Sequence, residues 1–272
     1  MNSQKSKSIY LYCLARSDLL RFIEGKGVDG KNSILLDNFR DIVAVISMVS
    51  LSEFYGQSAE SKMKDLSWMA PRACRHEKVV EQALLHSPVL PLRFGTIFSS
   101  VENIRKCLER NYCMIMDFLD KMTDKEEWAV KVLVDRTKAL NILIGTTLEE
   151  YSKGTASLSP GMRYFEEQRI RNNAQKELTY WLNDTCKSVM NDLCCQTSDF
   201  YERKLLTRDV TGSDMDMLCN WAFLVPRNSV KSFQTRVEHA NIDHVQQGFF
   251  FELSGPWPPY SFCVSLLMEE TE

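Results

Sequence analysis

The most restrictive feature of this sequence is the apolar run at residues 88–98, PVLPLRFGTIF, which is the densest in the first half of the chain. It lies between two segments with helical periodicity, so the pattern predicts that it forms the central strand of an N-terminal domain. Successive side chains of a strand point to opposite faces, which allows one face to be buried. That face would carry Leu90, Leu92, Phe94, Thr96 and Phe98.

The opposite face of this predicted strand places Arg93 beside Gly95. An arginine next to a glycine can mark a docking point, because another backbone can approach the glycine closely. The alternative, which we favour from the pattern, is a structural ion pair of Arg93, with Gly95 relieving crowding or forming a bulge. Both interpretations stay open at this point.

Length and composition indicate a globular protein with more than one core. The chain has 272 residues, of which 44% are hydrophobic and 25% charged, so two domains can each bury an apolar interior. A net charge of −3 provides no long-range attraction to polyanions. We therefore expect neither a nucleic acid nor a membrane as partner.

The N-terminal sequence MNSQKSKS is polar and lacks the apolar core of a signal peptide. No apolar run reaches the ~18 residues needed to cross a bilayer, so we expect a soluble, cytoplasmic protein. The nine cysteines include no C-x-x-C pair, and the pattern therefore predicts neither a disulfide framework nor a zinc site. We expect no metal and no cofactor.

Strand patterns at residues 9–15 and 41–50 and helical patterns before and after the apolar run predict an α+β domain over residues 1–123. The strand at 9–15 is apolar on both faces, which favours a strand covered on two sides. The helix that precedes the apolar run has an inward face made by Ala73, His76, Val80, Ala83 and Leu84.

Capping residues predict where three helices of this domain begin. Ser17 would cap a short helix that ends near Phe22, and Pro71 would lie in the first turn of the next helix. Ser99 and Glu102 form a capping box for the last one.

The second half of the chain predicts another order of elements. A long helix of about 34 residues begins at Ser159 and would measure ~50 Å, so part of it must project, bend or break. A shorter helix begins at Ser229. The order β-α-β-β-α-β predicts a ferredoxin-like sandwich over residues 124–272. Its strands would lie at residues 128–134, 199–207, 216–225 and 248–254.

Two binding motifs are approached but not matched. Residues 25–32, GKGVDGKN, resemble a phosphate-binding loop, yet Asn32 replaces the required hydroxyl and a helix-like segment precedes the motif. On a ferredoxin-like sheet, Trp128, Trp221 and Phe223 could stack RNA bases, but the accompanying basic-glycine-aromatic signature is missing. Binding of RNA or a small ligand therefore stays an alternative function, ahead of an unrecognised enzyme.

Residues 254–262, SGPWPPYSF, form a proline-rich corner. Prolines donate no backbone hydrogen bond, so regular strand pairing must end here or move to an edge. Trp257 and Tyr260 then need a covering surface. The corner is either folded on its own domain or part of a surface for a partner or another domain.

The stretches HEKVVEQALLHSPVLPLRFGTIFSS and ELSGPWPPYSF resemble the gas vesicle GvpF/GvpL family. The resemblance continues in YLYCLA, EEWAVKVLVDR, LSPGMRYFEEQR and NWAFLVPR, and covers nearly the whole chain in order. It implies two α+β domains, the second a modified ferredoxin fold. It also implies a non-enzymatic accessory protein of gas vesicle formation that contacts the hydrophobic shell protein GvpA and other accessory proteins.

The corner and the apolar run together predict one surface for the shell protein. Prolines keep the corner rigid, so little entropy would be lost when the aromatic side chains dock. An arginine adds a charge-assisted hydrogen bond, and both residue types are enriched in binding hot spots. The predicted partner-binding residues are Arg93, Phe94, Gly95, Trp257, Pro258, Pro259 and Tyr260.

We predict that the loop at residues 25–32 does not bind nucleotides specifically, because it lacks the magnesium-ligating hydroxyl. Equilibrium titration with ATP and GTP should show no saturable binding that depends on Lys31. Saturable binding that Lys31→Ala abolishes would contradict this prediction.

Overall fold

A computed structural model of the protein describes residues 7–54, 62, 64–154, 159–207 and 214–267. The chain divides into two compact units. Unit 1 contains the described residues of Met1–Asp124 and Trp257–Glu272, and unit 2 is Lys125–Pro256. Residues 257–272 were predicted to belong to the second domain, whereas the contacts of residues 257–267 group them with the N-terminal unit.

The sheet of unit 1 contains five strands: β1 (Lys7–Arg16), β2 (Ile34–Phe39), β3 (Ile42–Ser50), β4 (Val89–Pro91) and β5 (Ile97–Phe98). Their order is β2-β3-β1-β4, with β5 also paired to β1, and the described pairs are antiparallel. Strands β1 and β3 therefore occupy the interior of the sheet. Residues Ile9 to Ala15 of β1 are buried, which confirms the strand that was predicted to be covered on two sides.

The predicted central strand at residues 88–98 is wrong. The run forms two short strands, β4 and β5, that pair one after the other with different parts of β1. A turn separates them. Gly95 adopts a φ of 89°, and the N–H of Thr96 donates to the carbonyl oxygen of Arg93 at 3.1 Å. Positive φ breaks the extended geometry, so the alternation proposed for a single strand does not exist.

The described residues of unit 1 form three helices: α1 (Leu51–Phe54), α2 (Leu66–Leu84) and α3 (Val101–Met122). Helix α2 contributes Val79 and Val80 to the core around β1. Helix α3 contacts β1, β2, β4 and β5 with a separate set of buried side chains. That set includes Ile104, Leu108, Ile115, Phe118, Leu119 and Met122.

Three predicted helix starts in this unit need correction. Residues 17–19 form a turn, not a helix capped by Ser17. Helix α2 begins at Leu66, with Asp65 as N-cap, so Pro71 lies inside it. The N-cap of α3 is Ser100, whose hydroxyl accepts from the N–H of Asn103 at 3.2 Å.

The loop at residues 25–32 is held by its own side chains. The carboxylate of Asp29 accepts hydrogen bonds from the N–H groups of Lys31 at 2.8 Å and Asn32 at 3.0 Å. Val28 is buried, and its N–H donates to the hydroxyl of Tyr12 at 2.6 Å. These three backbone donors are therefore already occupied and not available to a phosphate.

The sheet of unit 2 contains β6 (Lys125–Val134), β7 (Asp199–Glu202), β8 (Asp216–Pro226) and β9 (Phe249–Trp257) in the order β7-β8-β6-β9. Strand β8 pairs antiparallel with β6 and with β7. The α-helices in the described part of unit 2 are α4 (Arg136–Gly154), α5 (Pro160–Cys194) and α6 (Val230–His244). Strand β7 ends at Glu202, earlier than predicted.

The predicted long helix is confirmed as α5, with Ser159 as N-cap and 35 residues. Its buried residues begin at Ala174, whereas Met162, Tyr164 and Phe165 in the first turns are exposed. Helices α5 and α6 pack on one face of the sheet. The core on that face contains Trp128, Val130, Val132, Leu178, Leu182, Val189, Trp221, Phe223, Phe233, Val237, Phe249 and Phe251.

Strand β9 lies at an edge of this sheet, and a side chain protects it. The amide of Asn241 on α6 accepts from the N–H of Phe251 and donates to its carbonyl oxygen, each at 2.8 Å. The amide thus takes the place of a neighbouring strand at Phe251, which blocks edge pairing there.

We predict that Asn241→Ala lowers the free energy of unfolding by about 1–3 kcal/mol, because it leaves two backbone groups of Phe251 without partners. Chemical denaturation measures this change. Ile242→Ala, at a neighbouring side chain that is 70% exposed, is the control and should stay within about 0.5 kcal/mol of wild type. Equal stability of Asn241→Ala and wild type would show that water replaces the amide without loss.

Candidate functional site

The predicted partner-binding residues lie in two parts of unit 1. Arg93 is exposed, whereas Phe94 and Gly95 in the same turn are partly buried. In the part of the chain that the structure describes, the guanidinium of Arg93 has no hydrogen bond or ion pair, so the ion pair that we favoured is not found there.

The second part is the proline-rich corner. Pro258 and Pro259 are buried, whereas Trp257 and Tyr260 are 39% and 36% exposed. Tyr260 begins a short 3₁₀ helix, Tyr260–Phe262. The corner therefore packs its prolines inward and presents parts of its two aromatic side chains.

A chain of hydrogen bonds joins the two parts. The N–H of Gly95 donates to the hydroxyl of Tyr10 at 2.9 Å, and this hydroxyl lies 3.0 Å from Nδ1 of His76. Nε2 of His76 lies 3.1 Å from the hydroxyl of Tyr260, which donates to Oε2 of Glu77 at 3.1 Å. The structure thus brings the two predicted stretches together through buried side chains.

The carboxylate of Glu77 is the acceptor at one end of this series of hydrogen bonds, and it fixes the donor and the acceptor in each of the others. Because the hydroxyl of Tyr260 donates to the carboxylate of Glu77, its oxygen must accept from Nε2–H of His76. The neutral imidazole then accepts at Nδ1, so Tyr10 donates to it. Both imidazole nitrogens and the hydroxyls of Tyr10 and Tyr260 therefore have partners, as a buried network requires.

Aromatic rings surround the imidazole of His76. The ring of Tyr12 stacks on it with a centroid distance of 5.6 Å, and Phe94 meets it edge-on at 5.9 Å. The ring centroids of Phe54 and Tyr10 are 5.5 Å apart, which extends the cluster to α1. The apolar surroundings explain the behaviour of the titratable groups in the network.

Burial lowers the pKa of His76 from 6.5 to about 4, against an opposing backbone hydrogen bond with Leu92. Burial also raises the pKa of Tyr12 to about 12 and, together with the nearby Glu77, raises the pKa of Tyr260. At neutral pH the imidazole and the hydroxyls are therefore uncharged. The network is suited to positioning the corner and the turn.

Tyr10, His76 and Glu77 were not predicted as members of the site. One signal was available, because the helical pattern placed His76 on the inward face of its helix. A buried imidazole needs polar partners on both nitrogens, and the tyrosines of β1 were candidates for them. Nothing in the local pattern indicated that Tyr260, which is 184 residues away in sequence, would be a partner of His76.

The aromatic residues of the RNA-binding alternative are not available for stacking. Trp128, Trp221 and Phe223 are all buried in the core of unit 2. The described residues contain no group of three or more His, Cys, Asp or Glu side chains arranged to hold a metal ion. None of the described helices combines the length and hydrophobicity needed to span a bilayer.

A family model described as "Gas vesicle synthesis protein GvpL/GvpF" matches residues 8–264. The chain therefore belongs to the GvpL/GvpF family of gas vesicle synthesis proteins, as its sequence resemblance indicated. This membership places it among proteins with a role in gas vesicle assembly.

Individual relatives agree with this assignment. "Gas vesicle protein L" of Streptomyces sp. (strain CB03234) is 27% identical, over 93% of this chain and 92% of the relative. The crystal structure of GvpF from Anabaena sp. PCC7120 covers 98% of this chain and 100% of its own, with a TM-score of 0.69 and 19% identity. The GvpF structure from Microcystis aeruginosa has a TM-score of 0.66 and 18% identity. Both structures share the mixed α/β fold.

We predict that His76 makes the protein less stable as the pH falls from 6.5 to about 4. In this window the unfolded chain binds a proton on His76 that the folded chain excludes, so acid favours unfolding. The lowering from 6.5 to about 4 corresponds to about 3 kcal/mol of unfolding free energy.

Denaturation at several pH values should show that acid lowers the unfolding free energy of His76→Gln less than that of wild type, since glutamine does not titrate. His239→Gln, at an exposed histidine of α6, is the matched control and should follow wild type. The same pH dependence in wild type and His76→Gln would contradict the prediction.

Proposed function

We propose that this protein is a non-enzymatic accessory factor of gas vesicle assembly that binds the hydrophobic shell protein GvpA and other accessory proteins. It would act in the cytoplasm and at the gas vesicle. Family membership supports the assembly role. A shell subunit that exposes apolar surface before assembly needs a partner that covers it.

We propose the corner surface, made by the seven residues predicted from sequence, as the contact with the shell protein. The observation that supports it best is the hydrogen-bond chain from Gly95 to Tyr260, because this chain holds both stretches in one place. A surface that is already ordered loses little entropy on binding.

The chemistry of the corner surface fits an apolar partner with polar groups at its rim. The hydroxyl of Tyr260 is engaged with His76 and Glu77, which leaves the exposed part of its ring for apolar contact. Trp257 adds a second aromatic side chain. Arg93 can donate to a carboxylate or to carbonyl groups of an approaching strand or helix end.

For unit 2 we propose a modified ferredoxin-like sandwich. The order β7-β8-β6-β9 and the two helices α5 and α6 on one face support this topology. We also propose that the two units fold as separate domains with a boundary near residues 123–125. The different sheets and cores of the two units support this division.

We predict that Trp257→Ala and Arg93→Ala each weaken binding to GvpA by ~2 kcal/mol, about 30-fold. The reason is the loss of an aromatic anchor or of a charge-assisted hydrogen bond. Binding should be measured by titration, together with the melting temperature, which should stay within about 2 °C of wild type for Arg93→Ala.

Tyr164→Ala is the matched control, since this tyrosine of α5 is 63% exposed and lies in unit 2. It should bind GvpA as wild type does. If both corner variants melt early and bind normally once folded, their residues are structural. Weaker binding by Tyr164→Ala alone would instead assign the contact to the first turns of α5.

A further inference from the structure

The segment that follows unit 2, residues 257–267, runs across unit 1 and is here named the C-terminal strap. It touches three elements in succession. Tyr260 bonds to His76 and Glu77 of α2, and the sulfur of Cys263 lies 3.6 Å from the carbonyl oxygen of Pro91 on β4. Leu267 then reaches α3. The strap thus lies across the edge of the sheet formed by β4.

The contact at α3 is made through backbone groups of the strap. Asn111 is 2% exposed, and its Oδ1 accepts from the N–H of Leu267 at 3.0 Å. Its Nδ2 donates to the carbonyl oxygen of Leu267 at 3.2 Å. The side chain of Leu267 is 68% exposed. A buried amide therefore holds this residue by its backbone, as a neighbouring strand would.

These contacts define the strap groove: His76 and Glu77 of α2, Pro91 of β4, and Cys107 and Asn111 of α3. One end of the groove binds a hydroxyl-bearing aromatic side chain, and the other end binds the N–H and the carbonyl oxygen of one residue. Such a combination of backbone pairing with one side-chain pocket is a general mode of peptide recognition.

The strap enters the groove through a proline-rich hinge. Pro256, Pro258 and Pro259 have fixed φ angles, so the hinge has little freedom to lose when the strap is delivered elsewhere. The same strap on another chain carries identical groups in identical order. Exchange of identical segments is a low-cost route to linked protomers.

We propose that the strap groove is a peptide-binding site that accepts the C-terminal strap of a second copy of this chain in place of its own. Two chains would then be linked by reciprocal strap exchange. This proposal does not rest on binding to the shell protein.

A fluorescent peptide of residues 257–267 tests the site with the full-length protein. In wild type the chain's own strap competes with the peptide. Leu267→Pro removes the N–H that Asn111 accepts, so we expect the peptide to bind at least 10-fold more tightly to this variant than to wild type. The double variant Leu267→Pro/Asn111→Ala should bind the peptide at least 10-fold more weakly than Leu267→Pro alone.

Ser265→Ala, at an exposed strap residue, should bind the peptide as wild type does. Tyr260→Phe provides a second way to weaken the chain's own strap, at its other end, and circular dichroism verifies folding of each variant. Equal peptide affinity of wild type, Leu267→Pro and Tyr260→Phe, or affinity unaffected by Asn111→Ala, would overturn the proposal.

Mixing two full-length variants tests exchange between copies. A groove variant, Asn111→Ala, and a strap variant, Leu267→Pro, can restore one intact groove–strap pair only in a mixed dimer. Native mass spectrometry of the mixture should show this heterodimer at least 10-fold above either homodimer. Peptide binding without heterodimer enrichment would also overturn the proposal, because the groove would then not accept the strap of a second chain.

Discussion

Unit 1 depends on the buried imidazole of His76. In an apolar environment both ring nitrogens need partners, because an unsatisfied buried polar atom costs about 1–3 kcal/mol. One partner is Tyr10 of the central strand β1, and the other is Tyr260, which arrives from the far end of the chain. The requirement of one ring therefore ties the turn after β4, the helix α2 and the C-terminal strap to the same core.

Asparagine side chains serve both units in a similar way. Asn111 in unit 1 and Asn241 in unit 2 each bind the N–H and the carbonyl oxygen of a single residue, Leu267 and Phe251 respectively. Each amide satisfies backbone groups that an adjacent strand would otherwise take. A protein proposed to handle apolar subunits benefits from such protection, because open strand edges promote aggregation.

Charged contacts stabilise unit 1 less than apolar packing does. Arg105 of α3 binds the carboxylate of Asp37 on β2 with two hydrogen bonds, at 2.8 and 3.1 Å, and Arg40 pairs with Glu109. These pairs are partly or largely exposed, so screening by water keeps their contribution to stability small. Burial of the apolar side of α3 stabilises the unit more, since each fully buried large side chain contributes about 1.5–3 kcal/mol. The ion pairs orient the helix, and apolar packing holds it.

The sequence by itself determined the elements whose signals are local. The period of apolar residues and the cap at Ser159 predicted α5, alternation predicted β6, and the order of elements predicted an α+β protein. Stretches such as HEKVVEQALLHSPVLPLRFGTIFSS and ELSGPWPPYSF were enough to recognise the family. Each of these signals depends on neighbours a few residues apart, and such neighbours carry the periodicity of a helix or a strand.

The tertiary structure decided which distant segments meet. It divided residues 88–98 into two short strands, because the positive φ at Gly95 turns the chain there. It returned residues 257–267 to unit 1 and joined Tyr260 to His76 across 184 positions. No local pattern contains this information, since the pairing of buried polar groups depends on which partners three-dimensional packing brings within hydrogen-bond distance.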